Sequence, residues 1–175
     1  MPFLIALAGI VVTAFFWAHR ARNAAHIVSD LADMAGDVRL AARRFGFARK
    51  ANVHPVESID SPDLAAAGLA CAFVALDDMP TSDQTERLRI QLRRVLRVDD
   101  ATSRELMILG NWLVSQCQGP QPAIARLSRK LYRLEGSSAL DPIMDILTGT
   151  LYADTAPSLR QSEALEELKT AFRVR

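Results

Sequence analysis

The residues of this chain best suited to chemistry are carboxylates that surround two similar turns. Asp77, Asp78 and Asp83 lie at the first turn, and Asp154 lies at the second. Oxygen ligands of this kind suit hard divalent cations such as calcium, magnesium and manganese. The four residues are therefore candidate metal ligands. The first turn is the better candidate, because Arg160 opposes Asp154 at the second.

The two turns belong to a phrase of twelve residues that occurs twice, at 77–88 and at 154–165. Five positions are identical, and two more exchange Thr for Ser. We call the two copies the first corner and the second corner. In each, a Thr or Ser stands three residues ahead of a Gln, the spacing of a capping box that satisfies backbone N–H groups at a helix start. Beside the metal-binding interpretation, the phrase therefore has a structural one, as a tight corner between two helices. The capping pairs are Thr81 with Gln84 and Ser158 with Gln161.

A run of arginines follows the first corner and gives one predicted helix a basic face. This face is a candidate surface for a protein partner, and an ordinary solvated face is the alternative. The whole chain carries a formal net charge of only +1, so nucleic acid is not an expected partner. The arginines are Arg87, Arg89, Arg93, Arg94 and Arg97.

The amino-terminal segment carries no charged side chain from Met1 to Ala18. Its apolar run, 3–17, is interrupted only by one Gly and one Thr. A helix needs about 20 residues to cross a bilayer, and about 17 is the lower limit. Residues 1–19 are therefore predicted to be a transmembrane signal anchor.

The residues that close this segment suit a membrane interface, with Trp17 as the interfacial aromatic and with Arg20 and Arg22 in reach of lipid head groups. A cleaved signal peptide would carry positive charge ahead of its apolar run, and a core helix would not need so uninterrupted an apolar surface. A single-pass inner-membrane anchor fits best. Positive charge after the run predicts an amino terminus outside and a cytoplasmic carboxyl-terminal domain.

Residues 20–50 are predicted to form a basic, amphipathic juxtamembrane helix. Its apolar residues form one stripe at helical spacing, which needs a partner, either the chain's own domain or another protein. The basic and aromatic segment 43–50 favours anionic lipid, or a plain solvated linker, over single-stranded nucleic acid. Residues 51–61 are predicted to be a hinge. The stripe consists of Ile27, Leu31, Met34, Val38 and Ala41.

The remainder, 62–175, is predicted to be one all-α domain of about six helices. Ser61-Pro62 is a typical helix start, and Thr102-x-x-Glu105 has the spacing of a capping box. No segment shows sustained alternation of apolar and polar residues, so strands are not expected. The predicted helices are 62–77, 81–97, 102–117, 120–134, 138–153 and 158–173.

Catalysis is not expected, because the residue types of an active site do not come together. His19 and His26 lie beside the apolar run and His54 lies in the predicted hinge, far in sequence from Cys117. Neither Cys71 nor Cys117 has the neighbours of a metal or redox motif. Both are predicted to be reduced thiols. No cofactor is expected unless a divalent cation binds the acidic turns.

Residues 62–175 resemble the tellurite-resistance TerB-like family, whose acidic turns read Ala-Asp-Gly before a Glu and an apolar helix. Leu76-Asp77-Asp78 and Ala153-Asp154-Thr155 occupy the two turns, and the apolar helices follow at 87–90 and 164–166. The resemblance implies a pseudo-twofold bundle of helices. It also implies a divalent metal at these acids in some members and a membrane anchor in others.

The chain differs from the family at the turn glycines and at the family's Glu, where Gln84 and Gln161 stand. The anchored DjlA-type co-chaperones have a similar layout but add a J-domain. The His-Pro-Asp tripeptide of a J-domain does not occur here, since His54-Pro55 is followed by Val56. Co-chaperone activity is therefore not expected.

Three functions are consistent with these patterns. The leading one is a membrane-anchored cytoplasmic protein-interaction module, a scaffold or adaptor without catalytic activity, in contact with membrane lipid and with another membrane or cytoplasmic protein. The second is a divalent-cation sensor that uses the acidic turns. The third is an accessory subunit of a larger inner-membrane complex.

Overall fold

A computed structural model of the chain describes residues 36–48, 52–77, 80–151 and 156–173. Apart from Gly36 and Asp37, these residues belong to one compact unit, Val38–Arg175. The described helices include none with the length and apolar character needed to cross a bilayer. Several predictions concern residues outside the described part: the anchor at 1–19 with Trp17, Arg20 and Arg22, and the candidate ligands Asp78 and Asp154.

The described residues form helices and turns without a strand, which confirms the predicted all-α class. All six predicted domain helices are present, each within three residues of its predicted bounds. A further helix, α1, covers residues 36–44. The domain helices are α2 (Pro62–Val74), α3 (Ser82–Leu96), α4 (Asp100–Gln116), α5 (Pro120–Glu135), α6 (Leu140–Thr150) and α7 (Leu159–Arg173), with 3₁₀ turns at Pro55–Ser58 and Gly136–Ala139.

Helix starts follow the local sequence, with one correction. Ser61 Oγ accepts a hydrogen bond from the Leu64 N–H at 3.3 Å, which confirms the predicted start of α2. The capping box predicted at Thr102 is wrong, because Asp99 caps α4 and its Oδ1 accepts from the Thr102 N–H at 2.7 Å. A carboxylate is a stronger acceptor than a hydroxyl, so the helix begins two residues earlier than predicted.

Helix α2 is the centre of the fold, since every residue from Leu64 to Val74 is buried. A helix that is apolar on all sides is typically enclosed by other helices, and α2 packs mainly against α4 and α5. Small residues permit a close crossing. A Cβ added at Gly110 of α4 would lie 3.0 Å from Cys71 Sγ and 3.2 Å from Gly68 Cα.

Helix α3 is packed much less deeply than α2. Its buried residues are Leu88 and Leu92, one turn apart, and its main neighbour is α6. Polar and charged side chains dominate the rest of its surface. The arginine-bearing helix of the sequence analysis therefore presents most of its circumference to solvent.

Helix α1 packs against the body of the domain. Ala41 is fully buried and Val38 contacts the core. Arg44 Nη1 donates to Glu105 Oε1 of α4 at 3.0 Å. The described end of the predicted apolar stripe therefore packs on the chain's own domain, while the rest of the stripe, 27–34, lies outside the described residues.

The segment predicted as a hinge, 51–61, packs against the domain over its described part. Its 3₁₀ turn is largely buried. Lys130 Nζ of α5 donates to the Glu57 carbonyl at 3.0 Å, and His54 Nε2 lies 3.1 Å from the carbonyl oxygen of Gln116. This strap is held by α4 and α5, so the compact unit begins well ahead of the predicted boundary at 62.

Candidate functional site

The two corners of the repeated phrase meet in space. Ser158 Oγ of the second corner donates to Asp77 Oδ1 of the first at 2.9 Å. Arg160 Nη1 donates to the backbone carbonyl of Leu76 at 3.2 Å. Residues 81 and 84 positions apart in sequence are thereby joined. The turn of the first corner is therefore in contact with the helix start of the second corner.

A cavity of about 370 Å³ opens between the corners. It is bounded by the end of α2, by the end of α6 and by the capping residues of both following helices. Both Gln side chains of the repeat face it, as does the Asp77 carboxylate. Its lining comprises Val74, Asp77, Gln84, Thr150, Leu151, Ala156, Ser158 and Gln161.

Both predicted capping boxes are confirmed. Gln84 Oε1 accepts from the Thr81 N–H at 2.9 Å, and Thr81 Oγ1 accepts from the Gln84 N–H at 3.2 Å. In the second corner, Ser158 and Gln161 make the same two bonds at 3.1 Å each. The oxygen of each Gln side chain is thus engaged with backbone, which is the structural interpretation of the phrase.

The candidate acids are only partly brought together. Asp77 faces the cavity and Asp83 is exposed in the first turn of α3. Among the described residues there is no group of three or more His, Cys, Asp or Glu side chains placed to hold a metal ion. The described part of the first corner therefore offers one cavity-facing carboxylate beside a serine hydroxyl.

The predicted basic face divides into an inward and an outward part. Arg89 is half-buried and is paired with Glu86 and with Asp100 at the start of α4. Its hydrogen bond and charge lower the pKa of the Glu86 carboxyl. Arg93 Nη1 lies 3.6 Å from Asp100 Oδ1, yet its side chain remains 46% exposed. Arg89 therefore forms its ion pairs within the domain, between α3 and the start of α4.

Asp100 organises the charges of this face and is not among the residues predicted from the sequence. Besides Arg89 and Arg93, it binds Arg104, whose Nη2 lies 2.7 Å from Asp100 Oδ2. One carboxylate thus organises three guanidinium groups from two helices. The one signal in the sequence is that Asp100 directly follows Asp99, the cap of α4, and so lies near the end of α3.

The outer face of α3 consists of Ile90, Arg93, Arg94 and Arg97, all exposed. Ile90 is 46% exposed, which is unusual for so large an apolar side chain in this domain. Beside it, a groove of about 420 Å³ separates α3 from α6. The groove is lined by Asp83, Glu86, Arg87, Ile90, Gln91 and Gly149.

Both thiols lie inside the helical core and do not form a disulfide. Burial raises the pKa of Cys71 to about 12, and burial also raises the pKa of Cys117, against a smaller opposing effect of Arg126. A thiol of such high pKa stays protonated near neutral pH and is a poor nucleophile. Cys71 and Cys117 therefore act as small core residues.

The chain matches no protein-family model, and comparison with curated proteins and with solved structures gives no significant match. Function is therefore inferred from the residues and the geometry of this domain.

Proposed function

We propose that this chain is a membrane-anchored cytoplasmic module that binds another protein through the outer face of α3 and has no catalytic activity. The observation that carries the proposal is the composition of that face. An exposed Ile90 is followed by three exposed arginines and lies beside the α3–α6 groove. Arg is enriched at protein interfaces, and an apolar side chain ringed by polar groups is the usual arrangement of an interface centre.

The charges of this face indicate the chemistry of the partner. A segment with an apolar side chain flanked by carboxylates would cover Ile90 and pair with Arg93, Arg94 and Arg97. Rim charges of this kind mainly raise the association rate and select the partner, while the apolar contact resists dissociation. Binding of such a partner should therefore weaken with rising salt.

Attachment to the inner membrane, with the amino terminus outside, is the second part of the proposal. It is supported by the uncharged run 3–17 and by the basic residues that follow it. The two free cysteines suit a reducing compartment. A reporter fused after Arg175 should be active only if it is a cytoplasmic reporter, and periplasmic activity would reverse the proposed topology.

The test of partner binding is co-purification of the full chain from detergent-solubilised membranes, followed by mass spectrometry. A partner retained by the wild type should be lost with I90D and with the double variant R93E/R94E. L159D, at an exposed leucine outside α3, and R126E/R129E, at exposed arginines of α5, are matched controls that should retain the partner.

Two results would contradict the proposal. The wild type recovered alone and at monomer size would remove partner binding altogether. A partner that survives both α3 variants would instead favour an accessory subunit of a larger inner-membrane complex, held through the anchor and the juxtamembrane stripe.

A TerB-like pseudo-twofold bundle is the fold relationship we favour for this domain. The support is the matched capping box at each corner and the direct contact between the corners. The same contact favours one second function, binding of a divalent cation, because it brings Asp77 to a cavity shared by both corners. Calorimetric titration of the full chain with calcium, magnesium and manganese tests this function. No heat and no thermal shift would exclude it.

A further inference from the structure

Helix α1 has an outward face whose composition differs sharply from its inward face. Ala41 is fully buried and Val38 contacts the core, so the inward face is occupied by the domain itself. Leu40 lies on the opposite side and is 63% exposed. Arg39 and Arg43, one position before it and three positions after it, are exposed as well. The outward face of α1 therefore carries an apolar side chain with two guanidinium groups beside it, and one exposed carboxylate, Asp37, lies three positions before Leu40.

Position in the chain gives this face its significance. The uncharged segment ends at Ala18, and α1 follows within about 20 residues of sequence. From Arg20 to Lys50 the chain carries seven Lys or Arg and three Asp residues. A basic segment so close to a membrane anchor experiences the negative surface potential of anionic lipid. Isolated exposed leucines are common on protein surfaces. An exposed leucine flanked by arginines, close in sequence to the predicted anchor, is complementary to an anionic lipid surface.

The aromatic residues of the basic segment cannot supply the apolar contact. Phe45 packs against the core, and the Phe47 ring lies 5.8 Å from the Trp112 ring of α4 in an edge-to-face arrangement. Arg44 is directed towards Glu105 and Thr102. Phe45 and Phe47 of the basic segment 43–50 are therefore packed on the domain, which leaves Arg43 and the exposed residues shortly before it to meet lipid.

We infer that Arg39, Leu40 and Arg43 form a docking surface for anionic lipid, which holds the domain against the membrane that anchors it. Leu40 enters the interfacial region, and the two arginines bind phosphate oxygens of the head groups, for which the guanidinium fork is well suited. This inference rests on the membrane attachment proposed above. It adds an orientation, because a docked α1 determines which domain surfaces face the lipid.

The test uses the full chain reconstituted into vesicles, with a fluorescent probe on a single introduced cysteine. Cys71 and Cys117 are 2% and 4% exposed, so L40C is the thiol that reacts with the label. The matched control is L159C, which also replaces an exposed leucine. Vesicles contain phosphatidylcholine alone or with phosphatidylglycerol, and a quencher is attached to the lipid chains.

The probe at position 40 should be quenched in vesicles with phosphatidylglycerol and much less in phosphatidylcholine alone, while the probe at position 159 should not be quenched in either. Each basic residue near an anionic surface contributes about fivefold to binding, so R39Q/R43Q in the L40C chain should lower the equilibrium constant for docking about 25-fold. R126Q/R129Q, at exposed arginines of α5, is the charge-matched control and should leave quenching unchanged.

The inference is overturned if the position-40 probe is not quenched while the chain remains in carbonate-washed vesicles, or if both probes are quenched alike. Release of the chain by the carbonate wash would instead contradict the anchor. In that case, quenching of the position-40 probe measured before the wash would still support lipid docking. Absence of that quenching would refute lipid docking.

Discussion

Ser158 Oγ donates a 2.9 Å hydrogen bond to Asp77 Oδ1, and the same oxygen accepts a 3.1 Å bond from the Gln161 N–H. One hydroxyl thus caps α7 and ties it to the end of the α2 segment, 81 residues earlier. This contact explains why a residue with both donor and acceptor capacity follows Pro157. A substitution at Ser158 therefore removes the contact between the corners as well as the helix cap.

Replacing Ser158 by Ala should destabilise the domain by about 1–2 kcal/mol, because the cap and the bond to Asp77 are lost together. T81A, which loses a cap without a partner across the corner, should cost about 1 kcal/mol. Urea unfolding measures both. In a double-mutant cycle, D77A should cost less in the S158A background than in the wild type. Strict additivity would contradict coupling between the corners.

Replacing Gly110 by Ala should be clearly destabilising, by about 1–3 kcal/mol, because the new methyl group meets Cys71 Sγ at 3.0 Å and the Gly68 backbone at 3.2 Å. G149A is a matched control, since the three atoms nearest to its Cβ all belong to the flexible end of Gln91. That side chain can move, so G149A should cost much less. Thermal unfolding of the two variants checks the order, and equal losses would contradict the close α2–α4 crossing.

Replacing Lys130 by Met should destabilise the strap, because it leaves the Glu57 carbonyl without its 3.0 Å donor in a largely buried turn. An unsatisfied buried group costs about 1–3 kcal/mol. Amide hydrogen exchange should accelerate at residues 56–59 before the rest of the domain. R133Q removes an ion pair to Glu57, made by an exposed arginine, and a 3.4 Å bond to the Arg129 carbonyl, and it should cost less than about 1 kcal/mol. Unchanged exchange in K130M would show that the strap is held by other contacts.

Acid should weaken the start of α4 through Asp99. Hydrogen bonds from the side chain and backbone of Thr102, with smaller effects of Arg44 and Arg93, lower the pKa of Asp99 from its ordinary value of 3.8. A folded-state pKa below the unfolded one stabilises the fold above the unfolded value, and this contribution disappears as pH falls through the folded value. D99N keeps a cap but not a charge, so its stability should fall less steeply below about pH 4. Identical pH profiles would contradict the assignment.

Local sequence was sufficient to predict the helices and both repeated corners, because proline, glycine and capping residues act within a few positions of one another. It failed at α4, where both Asp99 and Thr102 are competent caps and the carboxylate prevails. Contacts between helices distant in sequence could not be predicted from local sequence. The pairing of Arg89 with Asp100 and the docking of α1 on α4 depend on helix packing, not on spacing.

At the candidate site, too, local sequence identifies the residues and helix packing determines where they lie. The sequence identified the arginines of α3, but only the packing of α3 on α6 and α4 shows that Arg89 turns inward while Ile90 and Arg93 remain exposed. In the same way, the capping boxes were predictable from the repeat. Their convergence around one cavity follows from the packing of α2 and α6, which a repeat alone does not specify.

The most direct test of the proposed function is photo-cross-linking in intact cells, with a photoreactive amino acid at position 90 of the full chain. The same amino acid at position 126, exposed on α5, is the control. We predict a discrete adduct between the chain and a second protein at position 90 and none at position 126. No adduct at position 90, with the chain present in the membrane fraction, would contradict a protein-binding role for the outer face of α3.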